Sequence, residues 1–240
     1  MIRSILQKRK ADRQSLQSRK KEVIVHKNPK SPVTEAFRNI RTNLAFLSPD
    51  RTLRTVAITS SVASEGKSFV LVNIAVSRAQ MGNNVIIIDA DMRKPTLHRF
   101  FDLTNTSGLS NILSGEIELV EGLKTTDIEG VRIITAGKIP PNPAELLGSR
   151  KMEEVLERAC EEADIVFIDT PPVLAVTDAA ILSNRVDGTI LVAASHQVDR
   201  NALLKANEFL INAKARVLGI VLNKYPLHRN RSDGYYYYGR

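Results

Sequence analysis

The chain has 240 residues, a single cysteine and a formal net charge of +8. Its length suits one large α/β domain with a sizeable core, and the lone Cys160 excludes any disulfide within the chain. The charge sits at one end: ten of the 34 Lys/Arg but only two of the 26 Asp/Glu fall in residues 1–30, so the remainder is formally neutral and offers no evident nucleic-acid surface.

Residues 1–30 are polar and weakly patterned, and are expected to form a flexible basic arm. Such an arm is either a solvated linker or a segment lying on anionic lipid. No apolar core follows the basic N-terminus, as a signal peptide requires, and no apolar run approaches the roughly 18 residues of a membrane span. The folded domain is expected over residues 31–228. Phe37, Ile40, Leu44 and Leu47 recur at helical steps after Ser31-Pro32, which predicts a helix over Val33–Leu47, ended by Ser48-Pro49-Asp50. Strands are expected at Thr55–Thr59, Val85–Asp89, Val131–Thr135, Ile165–Asp169, Thr189–Ala193 and Val217–Leu222. Helices alternate with them at about Lys67–Met81, closed by Gly82, and at Arg150–Ala163, Asp178–Asn184 and Arg200–Asn212. The strands are continuous aliphatic runs, which predicts an α/β fold with a mostly parallel central sheet and helices on both faces. Residues 229–240 carry no aliphatic anchor and end in Tyr235, Tyr236, Tyr237 and Tyr238, so a mobile tail is expected there.

The first strand runs into Ser60-Ser61-Val62-Ala63-Ser64-Glu65-Gly66-Lys67-Ser68 and then a helix. A loop at a helix N-terminus binds phosphate, because free backbone N–H groups and the helix dipole point there. Gly66 lets the backbone approach, Lys67 can reach β and γ phosphates, and the Ser68 hydroxyl can ligate Mg²⁺. Ser64, Glu65 and Phe69 complete the expected nucleotide-binding stretch. The usual first glycine of this motif is replaced by Ser61. Two further strands deliver acids to their C-terminal ends: Asp89, with Asp91 just beyond, and Asp169. Ligands of open α/β sheets bind at those ends. Either aspartate alone could be a helix cap or turn residue; both beside a phosphate loop suit a Mg²⁺-nucleotide site.

This phosphate loop, with Ile86-Ile87-Ile88-Asp89-Ala90-Asp91-Met92-Arg93 and Phe167-Ile168-Asp169-Thr170-Pro171-Pro172, resembles the bacterial tyrosine kinases of capsule and exopolysaccharide synthesis. Pro140-Pro141-Asn142-Pro143-Ala144-Glu145-Leu146-Leu147 and the terminal tyrosines share in the resemblance, which runs from about Ser31 to the C-terminus. It implies a P-loop fold related to the MinD and ParA ATPases, with ATP and Mg²⁺ held by Lys67 and Ser68. Asp91 and Asp169 would bind or orient Mg²⁺, and Asp89 would be the base or orienter for an incoming tyrosine. Arg93 would act near the phosphates or the acceptor, and Asn223 would contact the nucleotide base, though it could equally be a turn residue. Tyr235–Tyr238 become the acceptors. Glu35, Arg38 and Arg41, on the helix of residues 31–48, would contact the next subunit of a homo-oligomeric ring; the simpler reading is an intrahelical Glu–Arg pair. The implied partners are a transmembrane adaptor that activates the kinase at the inner membrane face, a cognate phosphotyrosine phosphatase and protein substrates.

The competing expectation is a MinD- or ParA-like positioning ATPase. Those proteins carry a second lysine five residues before the loop lysine, where this chain has Val62. A catalytically dead scaffold is the third reading, which the intact Lys67, Asp89, Asp91 and Asp169 disfavour. The four histidines show no metal-ligand spacing.

Overall fold

The computed structural model describes residues 21–47 and 53–226. The four terminal tyrosines and the first 20 residues of the expected arm lie outside them. A single turn, α1 (Ile24–Lys27), precedes α2 (Pro32–Phe46), β1 (Thr55–Ser60), α3 (Lys67–Ala79) and β2 (Val85–Asp89). A 3-10 turn at Leu97–Arg99 leads to α4 (Leu109–Leu113), α5 (Leu119–Gly122), β3 (Leu123–Thr125) and β4 (Val131–Ile134). Then come α6 (Pro143–Gly148), α7 (Arg150–Glu162), β5 (Ile165–Asp169), α8 (Asp178–Ser183), β6 (Gly188–Ala194), α9 (Arg200–Asn212) and β7 (Val217–Asn223). The strands form one sheet in the order β3-β4-β2-β5-β1-β6-β7. Every neighbouring pair is parallel except β3 with β4.

Strand alternation divides most of the interior into two cores, beside a smaller cluster of Val173, Ala179, Leu191, Ala206 and Leu210. Val85, Ile87, Ile165 and Phe167 point to the face covered by α2 and α3, whereas Ile86, Ile88, Val166 and Ile168 point to the face covered by α4 and α7. All of these strand residues are buried, each contributing about 1.5–3 kcal/mol by removal from water. α3 is the central helix: ten of its 13 residues are buried, so its apolar character runs all round.

Three features differ from the sequence expectation. Residues 21–30 were assigned to the flexible arm, yet they pack on the domain. Val23 and Val25 enter the core, the Val25 N–H donates to Asn73 Oδ1 on α3 at 3.0 Å, and the Lys21 N–H donates to the Arg99 carbonyl at 3.1 Å. The helical turn is too short to show periodicity, and two buried valines suffice to anchor it. Second, β3 and the short helices between residues 97 and 148 had no periodic signal, because each spans fewer than two turns or three strand residues. Third, β7 is not fully covered, with Ile220 at 52% and Leu222 at 53% exposure. It is an edge strand, and one of its sides meets no other strand among the described residues.

Asn73 supports this N-terminal strap from a buried position, since its amide also donates to the Phe69 carbonyl at 2.8 Å. Asn73→Ala leaves the buried Val25 N–H unpaired, which costs about 1–3 kcal/mol. Urea unfolding is expected to show that loss, and limited trypsinolysis faster cleavage after Lys27 and Lys30 than in the parent chain.

Candidate active site

The site forms where β1, β2 and β5 end together. Asp89 and Asp169 are direct partners in the β2–β5 register. They share strand parity with Val85, Ile87, Ile165 and Phe167, so both face the side on which α3 begins. The loop from Ser60 reaches that point through two left-handed residues, Ser64 (φ 69°) and Gly66 (φ 90°). At Gly66 a Cβ would lie 2.2 Å from Asn223 Nδ2, so only glycine fits. Gly66 caps α3, leaving the N–H groups of Lys67, Ser68 and Phe69 in the unpaired first turn of a helix.

Lys67 is folded into the acids. Its Nζ lies 2.9 Å from Asp91 Oδ2 and 3.3 Å from Asp169 Oδ1. Ser68 Oγ donates to Asp169 Oδ2 at 2.6 Å, and Thr96 Oγ1 lies 3.1 Å from Ser68 Oγ. Asp91 Oδ1 accepts the Lys94 N–H, and Asp89 Oδ2 accepts the N–H groups of Thr96 and Leu97. Asp89 Oδ1 is buried with no partner. Burial alone would lower the Lys67 ammonium, but Asp169 and Asp91 outweigh it and hold the group charged well above the usual lysine range. Asp89 moves the other way: burial, then the facing Asp169, push its carboxyl up to about 8. Asp169 is also raised by burial, against the pull of Lys67.

The residues fit a nucleotide with a divalent cation. Lys67 pairs with two of the three carboxylates and leaves Asp89 without a cation in contact, and the buried Asp89 Oδ1 and Ser61 Oγ have no partner. Ser68, Asp91 and Asp169 are the oxygen donors a Mg²⁺ ion prefers.

Other expected site residues take different places. The Glu65 side chain is a loop staple: Oε2 accepts the Val62 N–H at 2.9 Å and Oε1 the Ala194 N–H at 3.1 Å. The Phe69 ring packs edge-on against Phe37, so only its backbone faces the loop. Asn223 Nδ2 donates to the Glu65 carbonyl at 2.8 Å, which ties the amide to the loop. Arg93 is turned to Asp178, with Nε–Oδ2 2.9 Å and Nη2–Oδ1 3.1 Å, because that fully buried carboxylate needs a cation. Glu35 pairs with Arg38 on the same helix, while Arg41 donates to the Ser77 carbonyl at 3.0 Å.

Sequence reasoning missed Thr96, Asp178 and Lys21. Thr96 lies in a loop without periodicity and Asp178 opens the short helix α8, and only the fold brings them to the site. The Lys21 ammonium stands over the Phe100 ring, 5.0 Å from its centre, within the field of the acids. Burial, then Arg99, lower its pKa, while Asp169 opposes them.

This phosphate loop, on a parallel sheet with acids at the strand ends, defines a P-loop nucleotide-binding protein of the ParA type. The ParA family model, described as an NUBPL iron-transfer P-loop NTPase, matches residues 51–233. The chain is 43% identical to the tyrosine-protein kinase YwqD of Bacillus subtilis (strain 168) over 216 residues, which is 90% of this chain and 91% of that one. The solved structure of the chimerical protein CapA2B2 matches with a TM-score of 0.82 and 40% identity, over 85% of this chain and 90% of that one. The septum site-determining protein MinD of Pyrococcus horikoshii, complexed with Mg-ADP, matches with a TM-score of 0.63 and 25% identity, over 73% and 72%. The chain belongs to the bacterial tyrosine-protein kinase family.

The raised Asp89 carboxyl has a consequence for stability. Between its ordinary value of 3.8 and about 8 the folded chain holds a proton that the unfolded chain releases. Stability of the nucleotide-free protein therefore falls as pH rises through that window. Asp89→Asn removes the penalty while keeping an acceptor for Thr96 and Leu97. Its melting temperature is expected to exceed that of the parent chain by several degrees at pH 8 and to approach it at pH 4; equal differences at both would contradict the assignment.

Proposed function

We propose that this chain is an ATP-dependent protein-tyrosine kinase that phosphorylates its own C-terminal tyrosines in trans within an oligomer. In this reading it regulates capsular or exopolysaccharide synthesis and export. The observation that carries it is the convergence of Lys67, Ser68, Asp89, Asp91 and Asp169 at one strand edge, beside free N–H groups of a helix N-terminus.

The chain's own groups divide the work. The loop and first-turn N–H groups of α3 bind phosphate oxygens, and Lys67 exchanges carboxylate contacts for the β and γ phosphates. Ser68, Asp91 and Asp169 would hold Mg²⁺, which when bound neutralises developing charge on the phosphate oxygens. A tyrosine hydroxyl, with a pKa of about 10, is protonated at neutral pH. Its oxygen forms the new bond to the γ phosphorus as the bond to the β–γ bridging oxygen breaks. The positive charge brought with the nucleotide would return Asp89 to its carboxylate form, and the proton passes to that carboxylate, whose Oδ1 has no other partner. The products are phosphotyrosine and ADP, and Asp89 returns the proton to solvent.

Tyr235–Tyr238 are the proposed acceptors, on the segment that follows β7. A ring through Glu35, Arg38 and Arg41 would bring one subunit's tail to the next subunit's site. Each phosphate adds a charge of about −1.5 to −2, and the repulsion would release the tail. A membrane adaptor whose cytoplasmic segment activates the kinase is the proposed recruiting partner, since no helix among the described residues is long and apolar enough to cross a membrane. A cognate phosphatase would reset the tail. Val62, where positioning ATPases carry a second lysine, disfavours that alternative.

The test is incubation with Mg-ATP, with and without the adaptor's cytoplasmic segment, read by phosphotyrosine antibody and mass spectrometry. Wild type is expected to gain phosphate on the terminal tyrosines. Lys67→Met is expected to lose at least about 100-fold in initial rate, the scale of removing a principal charge stabiliser, with an unchanged circular-dichroism spectrum. Phosphotyrosine persisting in that variant would overturn the site, and phosphate found only elsewhere would overturn the assignment of the acceptors.

A further inference from the structure

Three non-glycine residues with left-handed backbone meet at one corner beside the phosphate loop. They are Ser64 (φ 69°), His196 (φ 57°) and Lys224 (φ 56°). Side chains resist that conformation, so it persists where surrounding contacts over-determine it, and such residues gather at clamps. The contacts here are explicit. Lys224 Nζ donates to the Ser64 carbonyl and to Gln197 Oε1, each at 2.8 Å, and the Ser195 N–H donates to the Asn223 carbonyl at 2.8 Å. The end of β7 is thereby tied to the turn after β6 and to the outer face of the loop.

The direction of the loop's peptides follows from these ties. In a trans peptide the N–H points opposite to the preceding carbonyl, and no cis peptide is present among the described residues. Lys224 holds the Ser64 carbonyl toward β7, which turns the Glu65 N–H away from it. Asn223 holds the next carbonyl, that of Glu65, toward β7 as well. The Gly66 N–H therefore turns the same way as its neighbour. Successive N–H groups turned to one side form a concave anion-binding nest. Asn223 at the end of an edge strand and Lys224 just after it thus set the orientation of two adjacent peptides of the phosphate loop.

We propose that Lys224 is a positioning residue for nucleotide binding, holding the Ser64 carbonyl outward so that the loop presents its N–H groups to the phosphates. The proposal rests on the reading of residues 60–68 as the phosphate site. Lys224 touches neither phosphate nor acceptor in this role. Its loss should weaken nucleotide binding and leave the chemical step alone. Arginine, which also donates from a long cationic side chain, should substitute for it.

The full chain is tested as wild type, Lys224→Met and Lys224→Arg. Titration calorimetry with Mg-ADP gives Kd, and the adaptor-stimulated phosphotyrosine assay gives KM for ATP and kcat. Lys224→Met is expected to raise Kd and KM by roughly 3- to 10-fold, the loss of one exposed hydrogen bond to a loop carbonyl, with kcat within about twofold. Lys224→Arg is expected to stay within about twofold of wild type throughout. The melting temperature without nucleotide should be the same for all three, while the rise on adding Mg-ADP should shrink only in Lys224→Met. An unchanged Kd in Lys224→Met, equal weakening in both variants, or a fall in kcat at constant KM would each overturn the positioning role. Failure of wild type itself to bind Mg-ADP would overturn the phosphate-site reading instead.

Discussion

A buried ammonium among three carboxylates organises this molecule. Taking one ion out of water costs several kcal/mol. A single opposite charge at about 4 Å returns about 4 kcal/mol at an effective dielectric near 20. Lys67 has two such partners, in Asp91 and Asp169, and so stays charged despite its burial. Asp89 has no cation in contact and faces another acid across the strand pair, so its charge is not compensated and its carboxyl is pushed toward the neutral form. The imbalance marks a site built to receive positive charge with its ligand. It also distinguishes the surroundings of acids of the same type. Two of them touch Lys67, and the third keeps a buried oxygen without a partner.

Strand register is what puts those charges together. Asp89 and Asp169 end two adjacent parallel strands at matched positions. Strand side chains alternate, so a slip of one residue in either strand would send its acid to the opposite face, among Ile86, Ile88, Val166 and Ile168. The buried aliphatic residues preceding each aspartate fix the register against that slip. The same hydrophobic pattern that folds the sheet therefore aims the two acids at the candidate site. Little separate stabilising machinery is required beyond the backbone N–H groups that Asp89 and Asp91 accept.

That dependence explains how much was legible in the sequence. Continuous aliphatic runs ending in Asp89 and Asp169, with a Gly-Lys-Ser between strand and helix, were enough to foresee a mostly parallel sheet and the convergence of Lys67, Ser68 and both acids. What stayed hidden were pairings between residues far apart in sequence and without a repeating pattern. Arg93 meets Asp178 across 85 positions and Lys224 meets Ser64 across 160. Composition also misled at the N-terminus. The lysines around Lys21 and Lys27 mask Val23 and Val25, whose burial anchors the strap that the charge pattern had suggested was free. Glu65 shows the converse case: a residue of the phosphate loop whose carboxylate holds the loop's own shape, a role that its place in the motif does not announce.

One helix joins the remaining parts. The first turn of α3 borders the phosphate loop, its middle presents Asn73 to the N-terminal strap, and its last turns offer the Ser77 carbonyl to Arg41 of α2. Ten of its 13 residues are buried, and protein interiors are packed as closely as organic crystals. A helix so enclosed does not bend to suit each contact separately. α2, which carries the half-buried Glu35 and Arg38, is thus bound to the same rigid body that begins at Lys67. The strap that carries Lys21 toward the acids is bound to it as well. Groups on the outer face of the domain and groups at the phosphate site are consequently referenced to a single rod only 13 residues long, so the site's geometry and the placement of α2 are set by the same packing.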